Sequence, residues 1–323
     1  MKPTTVLPDD PALPGLRAIR AVGVAGAMLA LGFDDAPVEL RLRAYKPGRH
    51  ATLEARAGHR HFAVKAYAQD PAPEAALYQA LAAVGLASSW PGPGLPDEAG
   101  VRVPPLLAWE RDLRVLVVGW LEGPTAHELL KSGQGARAGE LGARWLQRAA
   151  SLQVTLGPPF GAAGVLRRVG KWVGALSAAD PWLGNAAAEL AGMLERKKPR
   201  EETVRLVHGS LHDRNLLDVG GVPGVVDWQR FGQGPAEVEA GMFLAAVSRV
   251  GLMHESLAGE AARAETAFLA GTRGLVDERA LAWHRVAGLL RLADRALTHE
   301  KNGWAARARV LVGEAARVCA GLS

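Results

Sequence analysis

The sequence predicts an α+β protein in two parts: a small antiparallel-sheet N-lobe and a larger, mainly helical C-lobe. Three observations carry this. Residues 38–67 alternate apolar and polar side chains in three short runs joined by tight turns, the period of half-buried strands. From about residue 124 long helical periodicity takes over, in 136–154, 257–271, 280–297 and 304–320. Between these, 204–228 interrupts the pattern with two apolar runs on either side of Gly220-Gly221, the signature of a hairpin.

Each element has its own reason. Residues 1–37 form an N-terminal helical segment. Its apolar stretch from Ala21 to Phe33 reads as a buried helix rather than a signal peptide, because it starts late, after Asp9-Asp10, and has no clear cleavage site. The N-lobe spans 38–123. Lys46-Pro47-Gly48-Arg49 turns the first strand into the second, and Ala57-Gly58-His59-Arg60 the second into the third. Residues 71–85 read as a helix, with proline near its start and glycine at its end. Residues 87–100, rich in Pro and Gly, read as a loop. Strands are expected over 101–108 and 113–121, with Glu110-Arg111-Asp112 at the turn. The C-lobe spans 124–323 and carries the hairpin region 204–228.

Composition narrows the function. The chain has 323 residues, 49% hydrophobic and 22% charged, which excludes a disordered or collagen-like chain. A single cysteine, Cys319, excludes an internal disulfide framework and a four-cysteine zinc site, and fits a reducing, cytoplasmic setting. No stretch reaches the roughly 18 apolar residues of a membrane span. Net charge is +5. The positive charge is mostly scattered arginine, apart from Arg196-Lys197-Lys198-Pro199-Arg200, and three Tyr and six Phe are few for a stacking groove. Neither a nucleic acid nor a membrane is expected as partner.

The chemistry concentrates around the hairpin, in His208-Gly209-Ser210-Leu211-His212-Asp213-Arg214-Asn215 and, after the second run, Val225-Val226-Asp227-Trp228. A polar loop between apolar strands presents side chains at a cleft. Asn215 starts one hairpin strand and Asp227 ends the other, so the two can be neighbours across the ladder. An amide oxygen beside a carboxylate makes a hard oxygen site suited to Mg2+, which shares phosphate oxygens readily. His208 and His212 also have the i, i+4 spacing of a zinc pair, with Asp213 as a third ligand, but that needs a helix and Gly209 argues against one.

These residues resemble the aminoglycoside phosphotransferase and choline kinase-like family, which has the protein-kinase-like two-lobed fold. The family's catalytic loop reads His-Gly-Asp-x-x-x-x-Asn and is followed by an apolar hairpin and an Asp. The sequence matches at His208, Gly209, Asn215 and Asp227. The resemblance covers roughly 38–300 and implies further roles. Lys65 stands where a third-strand lysine holds the α and β phosphates. Glu74, on the next helix, stands for its ion-pair partner; a first-turn acid favoured by the helix dipole is the competing reading. Residues 117–123, with Val118 and Trp120, stand for the hinge that reads adenine. Asn215 and Asp227 would hold Mg2+. The implied cofactor is ATP, with GTP as the alternative, and the implied acceptor is a small hydroxylated molecule. Glu239 lies where the family often has an Asp that steadies the lobe.

One position departs. Where the family has its catalytic Asp, this chain has Ser210, and a serine hydroxyl is no base at pH 7. General-base help is worth about 10²–10⁴-fold. Three readings stay open: a nucleotide-binding pseudokinase acting through a protein partner, an enzyme whose base has moved to Asp213 or His212, or a substitution made in the chain. By the same resemblance, His212 takes the place of a γ-phosphate-contacting lysine and Asp213 that of a structural residue. His59 and His61 flank a turn and are expected to be solvated. Trp283 and Trp304 would wall an acceptor pocket or lie in the core. From residue 240 on there are eight Asp and Glu against eleven Lys and Arg, which weighs against a polycationic aminoglycoside.

Overall fold

The computed structural model describes residues 7–29, 38–87, 100–201, 204–299 and 303–321. It divides into two compact units, Met1–Glu122 and Gly123–Ser323.

The first unit contains α1 (Pro14–Ala27), β1 (Glu39–Lys46), β2 (His50–Ala57), β3 (Arg60–Tyr67), α2 (Ala72–Ala83), β4 (Leu106–Glu110) and β5 (Val115–Gly119). The strands form one antiparallel sheet in the order β1-β2-β3-β5-β4. Strand periodicity puts alternate β3 residues on opposite faces. Phe62, Val64 and Ala66 join Leu13, Leu16 and Ile19 in one core, which leaves Lys65 and Tyr67 for the other face, toward α2. Gly15 makes the α1 contact possible, since a β-carbon there would sit 2.0 Å from a Val115 methyl and 2.5 Å from the Leu113 carbonyl. The buried Asp10 ties the N-terminal segment to the β1–β2 turn, accepting from the Gly48 amide at 2.8 Å and the Tyr45 hydroxyl at 3.1 Å.

Two expectations for this unit change. The N-terminal helix begins at Pro14, not Ala21, and is buried through Gly15, Leu16, Ile19 and Val24, while Val22 and Leu29 are exposed. Gly23 breaks its helical geometry, so the apolar run past residue 21 does not continue a single buried face; 30–33 lie outside the described residues. The fourth strand starts at Leu106, with Val103 in only an isolated bridge to Ala87; the expected loop falls largely on 88–99, outside the described residues.

The second unit contains α3 (Ala126–Lys131), α4 (Gly135–Ala150), α5 (Ala162–Ala179), α6 (Pro181–Arg196), β6 (Arg205–Val207), β7 (Leu216–Val219), β8 (Val222–Val225), β9 (Gly232–Gly234), α7 (Ala236–Met253), α8 (Ala258–Gly271), α9 (Glu278–His299) and α10 (Trp304–Ala320). Thr125 and Glu128 close a reciprocal capping box on α3, and Asp180 caps α6 through the Leu183 amide. Helices α5, α6, α9 and α10 share one core. Trp283 belongs to it, with its indole N–H on the Leu194 carbonyl at 2.8 Å, and the partly buried Trp304 packs against it. Two short ladders, β6–β9 and β7–β8, carry the polar loop between them. Among the described residues no helix is long and apolar enough to cross a membrane.

Candidate active site

In the first unit, β3 aims Lys65 at α2. Its ammonium donates to Glu74 Oε1 at 2.8 Å, and both side chains are buried. The Tyr67 hydroxyl donates to the other Glu74 oxygen at 2.7 Å. Burial raises the Tyr67 pKa well above its ordinary value, so the hydroxyl stays a donor. A buried carboxylate is thereby satisfied on both oxygens, as burial requires. Glu74 sits in the first turn of α2 and makes the ion pair as well.

Val118 is buried on β5, in register with Ala63 on one side and Leu106 on the other. The Trp120 backbone N–H donates to the His61 carbonyl at 3.1 Å, so that amide is already engaged. The Trp120 ring stacks on His61, centroids 4.5 Å apart, with the Arg43 guanidinium 5.4 Å from its centroid. His61 is not solvated as expected. It bridges Glu54 at 3.0 Å and Glu122 at 2.6 Å, the first brought by the β2–β3 pairing and the second by the segment that follows β5. His59 is exposed.

In the second unit, His208 leaves β6 and is fully buried. Its Nε2 lies 2.9 Å from the Val226 carbonyl, an acceptor only, so Nε2 carries the proton. Its Nδ1 lies 3.3 Å from the Ser210 hydroxyl. Trp228 packs edge-on against His208 and Trp145. Gly209 adopts φ +72°, and a β-carbon there would lie 2.0 Å from the Arg230 carbonyl, so glycine is required. Its N–H donates to Glu239 Oε1 at 2.8 Å. Burial pushes the Glu239 carboxyl up to about 7, against the opposing bonds from the Gly209 and His208 backbone and from Trp145.

Asp213 is buried and engaged. Oδ2 accepts His127 Nδ1–H at 2.8 Å, and the Arg249 guanidinium is 3.6 Å from Oδ1. Burial would raise its pKa, but the His127 bond and the charges of Arg249 and His212 outweigh it and hold the carboxyl below the usual range. His212 Nδ1 accepts the Arg214 amide at 3.2 Å. Burial first, then Arg295 and Arg291, push His212 down to about 4, against the pull of Asp213 and Asp227. His212 is therefore neutral at pH 7.

The hairpin brings the ends of its strands into register: Leu216 pairs with Val225, and the Val226 amide donates to the Asn215 carbonyl at 3.0 Å. Asn215 Nδ2 donates to the Ser210 carbonyl at 3.2 Å, which orients the amide and leaves Oδ1 as its acceptor end. Asp227 follows at φ +69°, in the left-handed region that non-glycine residues seldom occupy. Among the described residues no three His, Cys, Asp or Glu are grouped to hold a metal, so His208, His212 and Asp213 do not form a zinc site.

The sequence model described as the phosphotransferase enzyme family matches residues 42–289. The chain belongs to the phosphotransferase enzyme family. No curated protein matches it significantly. Solved structures of the same fold include a thermostable mutant of an aminoglycoside phosphotransferase, with TM-score 0.60 and 15% identity, covering 87% of this chain and 94% of that one. A further variant of that enzyme, in ternary complex with AMP-PNP and hygromycin B, has TM-score 0.59 and 16% identity over 91% and 98%. A choline/ethanolamine kinase family protein from Mesorhizobium loti has TM-score 0.56 and 16% identity over 88% of each chain. At these identities the likeness shows the protein-kinase-like fold.

Two partners of the candidate residues, one in each unit, lay outside the sequence reading. Tyr67 completes the Glu74 site and His127 holds Asp213. The α3 capping box flanks His127, and period-two spacing places Tyr67 beside Lys65, but neither pattern names a partner far away in sequence. A cavity of about 640 Å³ in this unit is lined by Arg196, Lys198, Arg205, Glu237, Arg279 and His284, none of them in the 208–227 motif.

Proposed function

We propose that this family member is an ATP-dependent phosphotransferase acting on the hydroxyl of a small molecule. The observation that carries the reading is the buried Lys65–Glu74 pair. A doubly satisfied buried carboxylate that holds a lysine ammonium in one place is suited to steering a phosphate. A related fold holding AMP-PNP and hygromycin B together supports a nucleotide and a small acceptor as the two ligands.

The donor chemistry fits Mg2+: an oriented amide oxygen on Asn215 and the carboxylate of Asp227, both hard oxygens at one hairpin end. When bound to these two residues, the ion would offset negative charge on the phosphates. The backbone strain at Asp227 fits a residue held for a task rather than for stability. His208 and Glu239 hold the loop by bonding its backbone and Ser210. Ser210 lines the acceptor position and accepts no proton. His212, neutral and with a pKa of about 4, is a poor base at pH 7, and Asp213 acts as a positioning residue through His127.

That engagement of Asp213, together with the serine at 210, favours a second reading: a nucleotide-binding module acting through a protein partner, with little turnover. ADP release over a panel of hydroxylated acceptors, wild type against Ser210→Asp, separates the two. The transferase reading expects measurable release in the wild type and about 10²–10⁴-fold more in the variant. Nucleotide binding with no release in either supports the module.

A further inference from the structure

Around the 208–213 loop the second unit gathers arginines from four separated segments. Arg230 backs directly onto Gly209, its carbonyl filling the space a side chain would need. The Arg168 guanidinium, from α5, lies 4.2 Å from the centroid of Phe160, and the Phe160 ring comes within 2.9 Å of that same space beside Gly209. Arg291, from α9, reaches the Met242 sulfur at 3.2 Å, and Met242 packs on the cluster of Phe160, Val207 and Val238 under the loop. Arg249, from α7, approaches Asp213, and Arg295 follows Arg291 by one turn of α9.

These charges feel one another. Burial, and then the charges of Arg230, Arg295 and Arg168, together lower the pKa of Arg291 to about 9. Burial and then Arg230 act the same way on Arg168 and on Arg295. Among the described residues Arg168, Arg230 and Arg291 make no ion pair. Of the nearby acids, Asp213 is taken by His127 and Arg249, and Asp294 counters Arg295. Gathering like charges costs stability unless an opposite charge arrives. A guanidinium fork matches a carboxylate or phosphate with two parallel hydrogen bonds.

We propose that the acceptor is anionic: a small hydroxylated molecule that carries a carboxylate or phosphate, held by Arg230 and Arg291 beside the Ser210 loop. This rests on the phosphotransferase reading and names its substrate class.

The test is calorimetric titration with D-3-phosphoglycerate and with choline, under saturating Mg–AMP-PNP. The expected result is phosphoglycerate binding at least about tenfold tighter than choline, weakened about tenfold by Arg230→Gln and by Arg291→Gln, and largely kept by Arg291→Lys. Arg230 is exposed, so its replacement leaves the core intact. Choline binding as tight as phosphoglycerate, no phosphoglycerate binding, or binding unchanged by both glutamine variants overturns the proposal. So does phosphoglycerate binding that disappears once AMP-PNP is bound, which would place the anion in the nucleotide's own phosphate site. A wild type that fails to bind Mg–AMP-PNP defeats the transferase reading instead, and arginine-dependent phosphoglycerate binding without nucleotide would leave an anion site standing alone.

Discussion

Glu239 Oε1 accepts the backbone N–H of Gly209 at 2.8 Å, while the indole N–H of Trp145 approaches Glu239 Oε2 at 3.4 Å. One fully buried carboxyl from α7 thus pins the loop that carries Ser210. The glycine is held at a positive φ that the Arg230 carbonyl reserves for it. Loop geometry therefore depends on a group 30 residues away in sequence.

Glu239 makes the fold sensitive to pH in a particular direction. Its folded pKa, about 7, lies above the ordinary value of 4.5. Between those values the folded state binds more protons than the unfolded one, so this group destabilises the fold as pH rises from about 4.5 to 7. Glu239→Gln removes that dependence. Urea unfolding at pH 5, 6.5 and 8 should show the variant gaining on the wild type with rising pH, by up to about 3 kcal/mol in all. A difference that does not change with pH contradicts the assignment.

The Lys65–Glu74 pair separates stability from function. Removing one partner alone leaves a buried charge and should cost roughly 3–5 kcal/mol, whereas replacing both with apolar residues of similar size leaves only the Tyr67 hydroxyl without its acceptor and should cost about 1–3 kcal/mol. Lys65→Met with Glu74→Leu should therefore remain folded, by circular dichroism and urea midpoint, yet lose ATP affinity by about tenfold or more. A folded double variant with unchanged affinity means the pair is structural only.

Asp213 and His127 act as one unit. Asp213→Asn should destabilise by about 2–4 kcal/mol, since it removes the buried charge that Arg249 and His127 face. His127→Ala should reproduce much of that loss, and the double variant should lose less than the sum. Additive losses by urea denaturation would show the two residues to be independent.

Much of this was legible in the sequence. Period-two alternation located β1, β2 and β3 to within a residue or so, because each strand has one buried face and a short turn at its end. The hairpin followed from Gly220-Gly221, with Leu216 opposite Val225 at its end. What escaped depends on distant partners. The arginines at 168, 230, 249, 291 and 295 look like solvated helix charges until α5, α7 and α9 converge on one loop. The apolar run after Ala21 suggested burial, but Gly23 redirects the backbone there, so Val22 and Leu29 face solvent. His61 looked solvated because the carboxylates beside it arrive from elsewhere in the fold, Glu54 through the β2–β3 pairing and Glu122 from the segment after β5.

The central claim is that Asn215 and Asp227 support Mg2+-dependent nucleotide binding. The direct measurement is thermal unfolding with and without Mg2+–ATP, for the wild type and Asp227→Ala. Ligand at about 100 times its Kd stabilises the folded state by about 2.7 kcal/mol, which for a protein of this size raises Tm by several degrees. The account predicts that rise in the wild type, its loss on chelating Mg2+, and its absence in Asp227→Ala. A folded wild type whose Tm does not respond to Mg2+–ATP, or an Asp227→Ala protein that responds as fully as the wild type, contradicts it.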